Sequence, residues 1–537
     1  MAPSSASTQW RQSLLGIREA LNANFSFAQN RSKCSFRHCD VAWKTATAVQ
    51  PLILVELRGA VHYDAALRPL VRSALAKGAK MPTANGTSKT PSKISSGAIR
   101  RIGFLPLLAV FYGYTCGGPF GYEDIFKSSG PGMAVLFLAL VPFFWSIPIS
   151  LASAELNSIM PVQGGFYRWS RAAFGDFWGF QCGWWNWTGT FLLNSLYGVL
   201  LMDYLADYIP WLTGYTKWAG ACVILLLLAY VNARGIKLAG WLAVVLQAAV
   251  FVPVIWLCVV ALFHWHHNPM VPFVPPGKPL GNVFGAGLAL AMWNYAGYEQ
   301  LSSVTGEMKD PQRTFIRVIV WNTPLTILTY ILPATLAIAV LGNWQQWETG
   351  YIVTASRMVG GEALGVAMLV ASIIGTLALS NSTILYTTRI PATMAEDGFL
   401  PAWLGKIHPR FGTPARAIAI SAVVYCVLAR FDVVDLVDIY IWTRIATSLL
   451  TLLAAWRMRQ KAPDAPRRFR MPGGRIGVAT IIILPAILCA VKIFYSEPFV
   501  MRYSPLLLAT GPVAYLILRF VFRMTPGPAN YVIANGE

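Results

Sequence analysis

Charge is scarce in this chain: 12% of its 537 residues are Asp, Glu, Lys or Arg, about half the roughly 25% of an ordinary soluble domain. With 55% of residues hydrophobic, that scarcity excludes a soluble globular protein and leaves a polytopic membrane protein. Acidic residues are scarcer still, 23 against 43 Lys and Arg. The excess suggests nucleic acid only until the positions are sorted: 15 of the basic residues precede Ile102 and most others fall in alternate loops. Nucleic acid is therefore not an expected partner. The eight cysteines are scattered, six of them in or near apolar runs, so neither a disulfide framework nor a zinc site is supported. Cys34 and Cys39 flank His38 without a second ligand pair and read as ordinary thiols. Six histidines, with His264, His266 and His267 crowded into one outer loop, offer no metal cluster and no nucleophile with its base. An enzyme is not expected, nor is a cofactor or metal.

What the chain has in quantity is apolar runs of about 20 residues, the length a helix needs to cross a hydrocarbon core of roughly 30 Å. Twelve are expected, over residues 104–127, 132–157, 176–207, 216–233, 238–263, 281–306, 314–341, 362–388, 415–431, 434–456, 475–495 and 503–523. Before them, residues 1–101 carry 15 Lys and Arg against four acids and read as a mostly flexible cytosolic extension. Residues 102–525 form the membrane domain, and 526–537 a short cytosolic tail. Alternate connections hold 20 basic residues, Lys237 among them, and 7, counted with Lys492 as an outer-side cation, which by the positive-inside rule places both termini in the cytosol. The connection 160–175 suits an interfacial helix on the cytosolic side, and Trp344 to Val359 a boundary segment outside. Trp178, Trp184, Trp185 and Trp187 crowd the third span, where lining and packing are both open.

Two of the runs are interrupted. Gly117, Gly118, Pro119, Phe120 and Gly121 put three glycines and a proline into the first, so the helix is expected to unwind there. Unwound backbone at that depth survives only where protein or a cavity satisfies it. Trp293, Asn294, Tyr295, Gly297, Tyr298 and Glu299 interrupt the sixth, and the tripeptide Gly-Tyr-Glu occurs in both, at 121–123 and 297–299. Paired broken spans in the two halves of a polytopic protein point to a transporter's binding site. These eleven residues are the candidate substrate-binding set.

Particular motifs carry a family likeness. Gly117 to Asp124, Trp145-Ser146-Ile147-Pro148 with Ala154-Glu155-Leu156, Gly164-Gly165-Phe166-Tyr167 and Trp178-Gly179-Phe180-Gln181 resemble the amino acid, polyamine and organocation transporter superfamily. Gly306 to Pro311 with Arg313-Thr314-Phe315, and Ala465 to Gly474, resemble its cytosolic signatures. The likeness is strongest to the plant-type polyamine uptake and L-type amino acid branch. It implies an all-α membrane protein with the leucine-transporter-like fold: ten core spans in two inverted five-helix repeats, first and sixth helices broken, and two accessory spans. It also implies alternating access. Three departures stand out: no acid in Ala378 to Thr383 of the eighth span, Gln247 where some proton-coupled relatives carry a lysine, and Arg444 inside the tenth span.

An ionisable group at mid-membrane costs on the order of 2.5–3.5 kcal/mol on insertion scales, so each needs a partner or a task. Glu123 and Asp124 are candidates to meet a substrate ammonium or carry a proton, or else to face an outer vestibule. Glu155 reads as the anchor of a cytosolic gate. Glu299 either contacts substrate or proton, or caps the second half-helix. Ser380, Ser382 and Thr383, with Asn381, either form the hydroxyl side of a sodium site or line the bundle. Arg444 has no acid on its own helical face, so its partner comes from another helix or is an anion. The expected function is a secondary transporter in the plasma membrane importing amino acids or polyamines with protons. A receptor that binds amino acids with little net transport, and a sodium-coupled or exchange-type carrier, are the alternatives.

Overall fold

A computed structural model describes residues 103–206, 208–234 and 239–528. The basic extension expected over 1–101, the thiols Cys34 and Cys39, Lys237 and the tail beyond residue 528 lie outside the described residues. Those described are helical, with no β-strand among them. Nine helices among them are long and apolar enough to cross a membrane. They are the second span (Pro131–Ile159), third (Asp176–Ala206), fourth (Gly214–Arg234), fifth (Val244–Phe263), seventh (Pro311–Leu341), eighth (within Tyr351–Glu396), tenth (Val433–Lys461), eleventh (Gly474–Phe494) and twelfth (Pro498–Val521).

Three shorter elements complete the twelve. The first span runs Phe104–Thr115 and resumes at Asp124–Ser129, and the sixth runs Leu280–Asn294 before a 3₁₀ stretch, Tyr298–Glu307. The ninth, Ala415–Leu428, has 14 residues, only about 21 Å at a rise of 1.5 Å per residue. It stops short of residue 431 because Ala429 closes its last turn onto the Tyr425 carbonyl. The eighth is preceded by a separate helix: Gly361, at φ +80°, breaks the chain after Val359, so the Trp344 to Val359 segment stands apart from the span as expected.

The third and tenth spans are the scaffold, 78% and 72% buried over their apolar windows, against 17% for the fourth and 11% for the twelfth. Small residues make that packing possible. A Cβ on Gly189 of the third span would lie 2.3 Å from the Thr443 hydroxyl of the tenth, and one on Gly198 would lie 2.7 Å from Leu225 of the fourth. Three tryptophans of the third span pack rather than line: Trp184 donates to Thr510, Trp185 to the Leu508 carbonyl and Trp187 to Ser421, docking the twelfth and ninth spans, while Trp178 is exposed. Gly165–Phe174 is the short helix expected between second and third spans, but it is largely buried against the body. Arg171 from it is 3% exposed and pairs with Asp176 and Asp397.

One expected position is corrected. Lys492 is not an outer-loop cation but lies fully buried in the eleventh span, 3.3 Å from Asp438 of the tenth. It sits at the end of an apolar run, where sequence spacing cannot separate a boundary charge from a paired interior one.

Candidate functional site

The two breaks are built by glycines held where a side chain is strained. Gly117, Gly118 and Gly121 have φ of +65°, +132° and +77°, and Gly297 has φ +94°, the left-handed side that Cβ-bearing residues avoid. The breaks also pack into one another. A Cβ on Gly121 would lie 2.7 Å from the Trp293 ring, and one on Gly297 would lie 2.7 Å from the Tyr114 ring. Each break thus seats an aromatic of the other on its own glycine.

Between them lies a small cavity. Thr115, Cys116 and Phe120 of the first break and Trp293, Asn294 and Ala296 of the sixth line it, with Tyr197, Tyr330 and Tyr440 closing the sides. Asn294 is 3% exposed and its Nδ2 has no hydrogen-bond partner among the described residues. A buried donor left unmade costs about 1–3 kcal/mol, and this amide lacks the acceptor that its burial calls for.

The other expected residues serve the cavity differently. Gly117 and Gly118 let the chain pass close to Leu379 and Val250. Tyr295 faces away: its hydroxyl donates to Leu138 at 2.8 Å, and its carbonyl accepts from Ser146 at 2.6 Å. Tyr298 packs edge-on against Phe111, centroids 5.8 Å apart. Ser380 donates to Asn194, and Thr383 to the Leu379 carbonyl one turn earlier. Asn381 accepts from Asn232.

Residues 102–517 match the amino acid permease family. The chain belongs to that family. A probable polyamine transporter of Arabidopsis thaliana is 30% identical over 447 residues, 82% of this chain and 88% of its own. A polyamine transporter of Oryza sativa subsp. japonica is 30% identical over 434 residues, 79% of each chain. An uncharacterized transporter of Mycobacterium tuberculosis is 28% identical over 351 residues, 64% of this chain and 77% of its own. The permease is therefore an integral membrane transporter with the twelve-span fold that the motifs implied.

Its buried acids can now be compared. Four are buried among the described residues: Glu123, Glu155, Glu299 and Asp438. Glu155 receives Arg459 at 2.6 Å, Arg467 at 3.2 Å and the Met471 N–H at 2.7 Å. Burial pulls the Arg467 guanidinium below its ordinary range, against the opposing pull of Glu155. Nearby, Asp397 takes Arg168 at 2.9 Å and the Tyr167 hydroxyl at 2.8 Å. Glu299 pairs with Arg444, both almost wholly buried, and accepts from Ser448 at 3.4 Å. Arg444, the one base of the tenth-span run, and Glu299, the one acid of the sixth-span run, thus answer one another. Glu299 was the single charge of its apolar run and Arg444 the single base of its own, which was the available signal.

Glu123 is the exception. It is 0% exposed, accepts from the Tyr204 hydroxyl at 2.9 Å, and no cation among the described residues pairs with it. Tyr204 was missed by sequence reasoning, yet its hydroxyl also accepts from the Gly121 N–H at 2.7 Å, tying the third span to the first break. Asp124 beside it takes the Thr349 hydroxyl, and Lys127 pairs with Glu348 one turn on.

Proposed function

We propose that the permease imports amino acids or polyamines by alternating access, coupled to protons, in the plasma membrane with both termini in the cytosol. The observation that carries this is the cavity between the two breaks, holding an unpartnered Asn294 amide and ringed by aromatics. Separable polar contacts lie on either side along the chain: Glu155 with Arg459 and Arg467 at one end, and Lys127 with Glu348 and Asp124 with Thr349 at the other. Two closures that open in turn are what alternating access requires. Aromatic faces attract an ammonium, and the Asn294 donor suits a carboxylate or hydroxyl.

The proton is the favoured coupling ion. An ionised carboxylate buried without a counter-charge is expensive, so Glu123 calls for a proton or a cation from outside. Sodium is the alternative, since hydroxyls that donate their protons inside the bundle, as those of Ser380 and Thr383 do, still offer oxygen lone pairs to a cation.

Proteoliposomes loaded with unlabelled solute and presented with labelled amino acids and polyamines test the reading. Counterflow, and net uptake driven by an inward proton gradient, are expected. Binding without counterflow would instead favour a receptor, and net uptake that follows sodium and ignores pH would replace the proton.

A further inference from the structure

We infer that Arg444 sets the charge of the cargo: by occupying Glu299 it bars solutes with two or more positive charges and leaves the site to a substrate with one amino group and no net charge. This rests on the transport reading above and narrows it.

None of the twelve residues lining the cavity carries a charge. A polycation moved through it therefore depends on acids just behind the lining. Glu299 is in the right place, three residues past Ala296, and Arg444 is one turn past Tyr440 on the tenth span; Ala296 and Tyr440 both line the cavity. But the Glu299 carboxylate already has the Arg444 guanidinium and the Ser448 hydroxyl. Glu155 and Asp438 are taken by Arg459, Arg467 and Lys492, and the eighth span offers no acid between Ala378 and Thr383. Among the described residues, Glu123 is the one buried acid left without a cation.

It stands behind Phe120, whose ring packs edge-on against Tyr204 at 5.7 Å. One carboxylate balances one charge. A diamine would bring a second ammonium into an aromatic site with nothing to neutralise it, and aromatic faces replace a counter-ion only in part. A zwitterion brings its own. Its ammonium can lie on the rings while its carboxylate takes the free Asn294 amide.

The test uses the full-length protein in proteoliposomes, with counterflow of labelled leucine, phenylalanine, alanine, putrescine and spermidine. Wild type is expected to exchange at least one neutral amino acid and neither polyamine. Arg444→Gln is expected to tighten putrescine competition about tenfold or more, a gain of about 1.4 kcal/mol. Adding Glu299→Gln to that variant should remove the gain. Putrescine or spermidine counterflow by wild type would overturn the inference and leave transport standing. A folded Arg444→Gln protein with no gain in polyamine competition would overturn it too. If wild type exchanges none of the five, the transport reading falls and takes this one with it. The wild-type panel decides the question even where the variant does not fold.

Discussion

The same tripeptide, Gly-Tyr-Glu, sits at each break, and its two copies end in opposite electrostatic settings. Glu299 faces a guanidinium from the tenth span. Glu123 faces a tyrosine hydroxyl from the third. Local sequence sets both carboxylates just past a left-handed glycine, and both are buried. What differs is the neighbour, contributed by a helix far along the chain. One copy is thereby half of an ion pair between the sixth and tenth spans, and the other an acid with no cation beside it among the described residues. On the proton coupling proposed above, the step repeated in each cycle falls to the unpaired copy.

The largest expected effect comes from erasing that difference. Arg444→Ala leaves Glu299 buried with no cation, and breaking a buried pair from one side costs about 3–5 kcal/mol. Thermal unfolding of the detergent-purified variant should show a steep drop in stability, with little folded protein recovered. Replacing both partners by Met should recover most of it, since paired removal of a buried ion pair is often neutral. A single variant as stable as wild type would show that the pair does not hold these spans together.

Next comes the geometry the two breaks share. A Cβ at Gly118 would lie 2.3 Å from the Phe120 ring and 2.9 Å from Val250, at φ +132°. Gly118→Leu should therefore cut uptake more than about tenfold, since strain at such a position costs of order 1–3 kcal/mol and the side chain displaces a cavity-lining ring. Uptake near the wild-type rate, at equal surface expression, would place the substrate elsewhere.

Glu123→Gln acts more narrowly. The amide keeps the size and still accepts from Tyr204, but it can no longer exchange a proton. Net uptake should lose its response to an imposed pH gradient while counterflow continues. Retained proton-driven accumulation would remove Glu123 from the coupling step.

How much of this the sequence disclosed follows from the range of the interactions involved. The breaks were legible because a glycine cluster with proline inside an apolar run is a local statement about backbone. The end of the boundary segment was legible for the same reason, at Gly360 and Gly361. Pairing across helices was not. Arg444 and Glu299 lie 145 positions apart, and which faces of the tenth and sixth spans meet depends on packing, such as Gly189 against Thr443, that no periodicity reveals. Lys492 was misplaced because its partner, Asp438, lies on another helix, 54 positions away. Tyr204 was overlooked because one tyrosine in an apolar helix looks like any other until the Gly121 N–H is found beside it.

The smallest expected effect on transport is that of Glu299→Gln, the counterpart of the Glu123 variant. The substitution deletes the charge but keeps an oxygen that Arg444 and Ser448 can still donate to. Arg444 is then a buried cation held by a neutral acceptor, and weakening a charge-assisted contact in this way costs about 1–3 kcal/mol. That loss should register in thermal stability at roughly half or less of the Arg444→Ala effect. Because the carboxylate was already neutralised by its neighbour, the pH dependence of net uptake should remain, as should preference among neutral amino acids. Measured side by side, the two Gln variants separate the copies: one loses the proton response with little loss of stability, the other the reverse. If Glu299→Gln flattens the pH response while Glu123→Gln leaves it intact, the roles are exchanged. The proton would then pass through the ion pair, with Arg444 releasing Glu299 in each cycle.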